Sequence, residues 1–163
     1  MCRLLIVAAA CAAAFAAGAT ASPVDESRCA SATPIDPSAP LGRAVPLGDV
    51  LWLAVYPYAP GHPTKAIVWA RRPLAARVVL RGWDCATGRR LRFWYREGQP
   101  FQRLPASAAA MRRRGSLSAT FGPWPAQAMT GGYLMFWRAG LWKIVAYEGG
   151  APVGTVTVRA APL

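Results

Sequence analysis

From residue 50 onward the chain is written in short apolar or alternating runs of about five to nine residues, each closed by glycine or proline. Side chains alternate across an extended chain, so runs of this length predict strands with one buried and one wet face. The reading places strands at 50–56, 66–71, 77–83, 90–96, 116–121, 133–138, 141–148 and 153–159. An array of about seven to eight antiparallel strands must hide its apolar stripes in a second layer, which makes the expected class an all-β sandwich. The clearest hairpin is the last. Trp142, Ile144 and Ala146 alternate with polar neighbours, Gly149-Gly150 supplies a turn that tolerates positive φ, and Val156 and Val158 continue the alternation. One segment breaks the pattern: Ala-rich residues 106–114, ending Arg112-Arg113-Arg114-Gly115, have the composition of a short helix with cations at its C-terminus.

The N-terminus is written differently. Residues 1–21 carry Arg3, an apolar run over 4–17, and Ala19-Thr20-Ala21 before Ser22, the pattern of a secretory signal peptide cleaved after Ala21. No later run is long enough to span a bilayer, so the exported chain is expected to carry no transmembrane span. A lipoprotein reading through Cys11 is disfavoured, because Ala8-Ala9-Ala10 lacks the usual leucine and the apolar segment would be cut short. Residues 22–46 hold prolines at 23, 34, 37, 40 and 46 and read as an extended leader, with 47–163 as the folded domain.

Loss of the signal leaves two cysteines. In an oxidising compartment Cys29 and Cys85 are expected to form a disulfide that ties the leader to the domain, while two free thiols or a metal site compete as readings. Two cysteines with no nearby histidine make a poor ligand set, so neither a metal nor a cofactor is expected. The 19 Lys and Arg outnumber the 7 Asp and Glu to give a net charge of +12, and the chain has one histidine. Chemistry built on clustered carboxylates or imidazoles therefore has little material, and the protein is expected not to be an enzyme.

The runs Pro63-Thr64-Lys65-Ala66-Ile67-Val68-Trp69 and Val79-Leu80-Arg81-Gly82-Trp83-Asp84, with the closing pair Gly140-Leu141-Trp142-Lys143-Ile144 and Gly154-Thr155-Val156-Thr157-Val158, resemble uncharacterised exported bacterial proteins with an immunoglobulin-like β-sandwich domain. The resemblance spans residues 50–159 and implies a fold; it supplies no catalytic residues. The second intradomain cysteine of antibody-type domains is missing.

One candidate surface stands out. If strands 77–83 and 90–96 pair as a hairpin, Trp83 faces Arg90, Arg81 faces Arg92, Val79 faces Trp94 and Arg77 faces Arg96. These residues would share one face, opposite an apolar stripe of Val78, Leu80, Leu91, Phe93 and Tyr95. Cations directly across a ladder repel, and solvent, stacking on tryptophan or an anionic ligand would have to offset them. A solvated face with guanidinium planes covering indoles competes with a polyanion-binding face of Arg77, Arg81, Trp83, Arg90, Arg92, Trp94 and Arg96.

Arg112-Arg113-Arg114 reads as a solvated loop or helix end in preference to a ligand site, and Trp52, Tyr56, Tyr58, Trp124, Trp137 and Trp142 as core or as a carbohydrate platform. Asp84 and Glu97 flank the hairpin too far apart for acid–base pairing. The expected function is a noncatalytic secreted or periplasmic binding or adaptor module. It would contact an anionic envelope glycan or phospholipid, or a protein partner, without specific nucleic-acid recognition. The alternative is a small enzyme or enzyme inhibitor using loop residues around His62, which would need a Ser, Asp or Glu within hydrogen-bond reach of that ring.

Overall fold

A computed structural model describes Cys29, residues 31–54, Tyr56, and residues 59–95 and 107–162. Residues 1–21, read as a signal, residues 22–28 of the stretch read as leader, Tyr58, Arg96 and Glu97 lie outside the described residues. Among the described residues a 3-10 turn at Pro40–Gly42 is followed by nine strands and one α-helix: β1 (Ala44–Leu47), β2 (Leu51–Ala54), β3 (Pro63–Ala70), β4 (Val78–Asp84), β5 (Arg92–Trp94), α1 (Ala108–Arg114), β6 (Ser118–Phe121), β7 (Met129–Met135), β8 (Gly140–Glu148) and β9 (Ala151–Ala160). They form two antiparallel sheets, β1-β2-β3-β7-β5 and β6-β4-β8-β9. The all-β sandwich expected from the alternation is what the chain folds into.

Alternation also sorts the core. Val78, Leu80, Leu91 and Phe93 are buried between the sheets, with Tyr95 packed against them. From the C-terminal hairpin Trp142, Ile144, Ala146, Val156 and Val158 join the same cluster. Trp142 is fully buried, edge-on to Phe136 at 5.4 Å between ring centres, and its Nε1 donates to the Arg138 carbonyl at 3.2 Å. The indole thus keeps its polar atom satisfied inside an apolar core. No helix among the described residues is long and apolar enough to cross a membrane.

The central hairpin opens almost where it starts. Trp83 and Arg90 do form an antiparallel bridge, and Leu91 N donates to Gly82 O at 2.8 Å. Beyond it Arg81, Leu80, Val79 and Val78 pair with Ser118, Ala119, Thr120 and Phe121 of β6 on one side, and with β8 on the other. A strand has only two edges. With both taken, the chain after Leu91 crosses to the first sheet, where Arg92, Phe93 and Trp94 pair with Met135, Leu134 and Tyr133 of β7.

Two other elements depart from expectation. β1 draws Ala44, Val45 and Pro46 out of the stretch read as leader, because Pro46 sits in an edge strand where its missing donor is tolerated. β7 begins at Met129, earlier than the alternation indicates, because Gly131 and Gly132 interrupt the pattern. At Gly132 a Cβ would press on the carbonyl of Trp94 at 2.8 Å, so the close approach of β5 excludes a side chain there.

The described part of the stretch read as leader, Cys29 and residues 31–43, packs along the domain. Cys29 and Cys85 form the expected disulfide, with Cα atoms 5.7 Å apart. Thr33 N donates to Thr157 O at 2.7 Å and Thr33 Oγ1 accepts from Thr157 N at 2.9 Å, which pairs the leader to the edge of β9. Asp36 then bridges Ala44, and Ala39 packs with Ala44, Ala54 and Trp69 in a second small cluster, with Trp52, Tyr56 and Ile67 against it.

Candidate anion-binding end

The sandwich has two ends of different electrostatic character. At one, the turns between β1 and β2, β3 and β4, and β8 and β9 bring carboxylates to cations. Arg72 Nη2 donates to Glu148 Oε2 at 2.6 Å and Arg72 Nε lies 3.4 Å from Asp49 Oδ2. The hydrogen bond from Arg72 holds the Glu148 carboxyl below its usual range. Arg71 donates to Gly48 O and stacks over Trp52 at 4.2 Å.

The opposite end gathers the loop before β3, the β4–β5 loop, α1 and the β7–β8 loop. Gly61 N donates to Phe136 O at 2.6 Å, and Trp137 Nε1 donates to Arg90 O at 2.8 Å, so three loops are locked to one another. α1 is set by its own ends. Ser107 Oγ accepts from Ala110 N at 3.2 Å as the N-cap, and Gly115 N closes the last turn onto Met111 O. Met111 is buried, which turns Arg112 outward over the Trp137 ring.

Trp137 is the centre of this end. The Arg89 guanidinium carbon lies 3.9 Å from the ring centre and that of Arg112 5.8 Å from it. Each stack contributes roughly 0.5–1 kcal/mol at a solvent-exposed site. Two cations drawn to one indole repel by on the order of 0.5 kcal/mol in water, so the arrangement stands but leaves positive charge concentrated. Arg90 lies over Trp83 at 4.9 Å, with its Nε buried and without a hydrogen-bond partner among the described residues. Asp84 is the one described carboxylate here, and it is committed. It is 1% exposed, its Oδ1 accepts from Ala86 N at 2.9 Å, and Arg138 Nε stands 3.0 Å from Oδ2 without hydrogen-bond alignment. Among the described residues no carboxylate pairs with Arg89, Arg90 or Arg112.

The residues singled out from sequence are therefore redistributed. Trp83 and Arg90 remain neighbours at this end. Arg81 stays on the outer face of the second sheet, exposed, over Tyr147 at 5.1 Å. Arg92 and Trp94 sit instead on the outer face of the first sheet, where Arg92 Nη1 donates to Gly115 O at 2.8 Å. Arg77 is exposed at the far end, before β4. The single shared face is replaced by a loop-end cluster whose key members, Arg89 and Trp137, the sequence offers no spacing to connect. Arg112 lies in a basic run that is visible in the sequence; only the tertiary fold puts it on Trp137.

His62 borders this end in an exposed position, and no Ser, Asp or Glu hydrogen-bonds to its ring among the described residues. A small apolar cavity lies elsewhere, between the sheets, where Ala66, Gly132 and Ala119 leave space beside Tyr95 and Phe121. No group of three His, Cys, Asp or Glu able to hold a metal occurs among the described residues.

Neither a family model nor a curated protein matches the chain. Among solved structures it is similar to the crystal structure of a putative lipoprotein from Bacillus anthracis, with a TM-score of 0.54 at 8% identity. The alignment covers 80% of this chain and 86% of that one. At that identity the likeness bears on fold alone.

Proposed function

We propose that the protein is a noncatalytic exported module, an immunoglobulin-like sandwich by type, that binds anionic components of the cell envelope through the loop end around Trp137. One observation carries the reading: Arg89 and Arg112 converge on a single indole with no described carboxylate paired to either. Guanidinium groups held by stacking keep their N–H edges free for bidentate contact with phosphate, sulfate or carboxylate. The net charge of +12 adds long-range attraction to any polyanion. Export is supported by the N-terminal apolar run and by the Cys29–Cys85 disulfide, which suits an oxidising compartment.

The test is to titrate the oxidised protein with a soluble polyanion, long-chain polyphosphate, and compare two charge-matched double variants. Arg89→Ala/Arg112→Ala should weaken binding roughly tenfold or more, and Arg71→Ala/Arg77→Ala at the far end by less than about twofold. Equal losses would reduce the attraction to net charge and overturn the site.

A further inference from the structure

We infer that the anionic component is a phospholipid surface, and that the protein stands on it end-on, with the Trp137 end toward the headgroups. The inference rests on the reading of that end as an anion site and adds to it a ligand class and an orientation. Its starting point is where the chain enters the domain. Cys29 is bonded to Cys85, and Cys85 lies in the same β4–β5 loop that carries Arg89 and Arg90. That loop is a rigid platform: Asp84 N donates to Arg89 O at 2.8 Å, Gly88 N to Asp84 O at 2.8 Å, and Cys85 N to Leu141 O at 3.0 Å. Cys29, the first described residue, therefore enters the fold at the cationic end. Until the expected signal is removed after Ala21, a chain held at the membrane by that segment would present this end to the bilayer before any other.

The chemistry of the end fits such a surface. Arg113 and Arg114 are exposed on α1 beside Arg112, so cations are carried by a loop and a helix that meet at Trp137. Leu117, 40% exposed, lies in the bend between Ser116, which bridges Phe93, and Ser118, which pairs with Arg81. Arginine beside a partly exposed indole is a combination that settles at headgroup depth. An extended glycan is gripped by a row of exposed rings, whereas among the described residues Trp83 is buried here and Trp137 is the one partly exposed indole. Each cation near an anionic leaflet is worth about fivefold in affinity, so a small cluster suffices for reversible attachment.

The experiment is co-sedimentation of the oxidised exported protein with vesicles of phosphatidylcholine containing phosphatidylglycerol at about one lipid in three, an anionic charge density chosen to exceed that of a typical leaflet. Vesicles of phosphatidylcholine alone and free polyphosphate serve as the other arms. The expected result is binding to the anionic vesicles only, weakened roughly tenfold or more by Arg89→Ala/Arg112→Ala and by less than about twofold by Arg71→Ala/Arg77→Ala. Brominated phosphatidylglycerol should quench tryptophan emission in the parent and quench it much less in Trp137→Phe. Binding to polyphosphate with the same arginine dependence but not to vesicles would leave the anion site standing and overturn the membrane. Loss of binding to both probes would overturn both readings. Vesicle binding that ignores Arg89 and Arg112, or quenching unchanged in Trp137→Phe, would overturn the orientation.

Discussion

Trp83 and Arg90 face one another across a single antiparallel bridge, and the chain divides there between the two sheets. Before the bridge, β4 is the inner strand of one sheet; after it, β5 is the edge of the other. The connection between them must stand at the end of the sandwich, and that is why Arg89 and Arg90 reach Trp137 in the β7–β8 loop. The basic end is a consequence of this division.

The disulfide should matter most to the leader and to global stability. It joins residues separated by 56 positions, for which the chain-entropy treatment gives about 4 kcal/mol. Cys29→Ser/Cys85→Ser should lower the urea midpoint and steepen the denaturant slope, because the unfolded chain is less compact without its cross-link. It should also raise hydrogen exchange at Thr157, whose amide is held by Thr33 in the leader. Unchanged exchange at Thr157 would mean that the leader stays docked without its covalent tie.

Gly154 and Gly48 mark where the turn after β1 presses on β9. A Cβ at Gly154 would collide with the backbone of Leu47 and Gly48, which have no flexible end to move. Gly154→Ala should therefore destabilise by about 1–3 kcal/mol, the usual cost of forcing atoms into a filled space. Gly149→Ala, in the open β8–β9 turn, meets nothing within 4 Å and should lose only what its φ of 58° imposes. A thermal melt of the two variants compares these effects directly.

Acid should release the ion pair at the far end. Arg72 lowers the Glu148 pKa from its ordinary value of 4.5, so this contribution to stability is fully present above that value and disappears as pH falls through the lower folded pKa. Glu148→Gln should accordingly be less stable than the parent at neutral pH and should converge with it in acid. Urea midpoints measured from neutral pH down to strongly acidic buffer would show parallel curves if Glu148 made no such contribution.

Much of the fold is legible in the sequence. Alternation in Val78 and Leu80, then Leu91, Phe93 and Tyr95, identified a core stripe correctly even though the two strands do not pair as a hairpin, because inward and outward positions depend on local extension alone. Which edge a strand chooses is a competition with distant segments. β6, residues 118–121, takes the edge of β4 that residues 91–96 would have needed, and nothing within the central hairpin announces that. Gly115 ends α1 as the composition indicates, whereas the start at Ala108 is set by the Ser107 cap, which the Ala-rich run does not single out. Trp137 was visible as an aromatic and Arg112 as part of a basic run; their contact is tertiary and carried no sequence spacing.

The most direct test of the basic end is the salt dependence of polyphosphate binding by the parent and by Arg89→Ala/Arg112→Ala. Each guanidinium that displaces counterions from the polymer contributes about 0.7–0.9 to the slope of log affinity against log salt. The account predicts that the double variant loses about 1.5 from that slope, while circular dichroism and melting temperature stay near those of the parent. A slope unchanged from the parent's would show that neither arginine meets the polyanion, and the assignment of this end would fall.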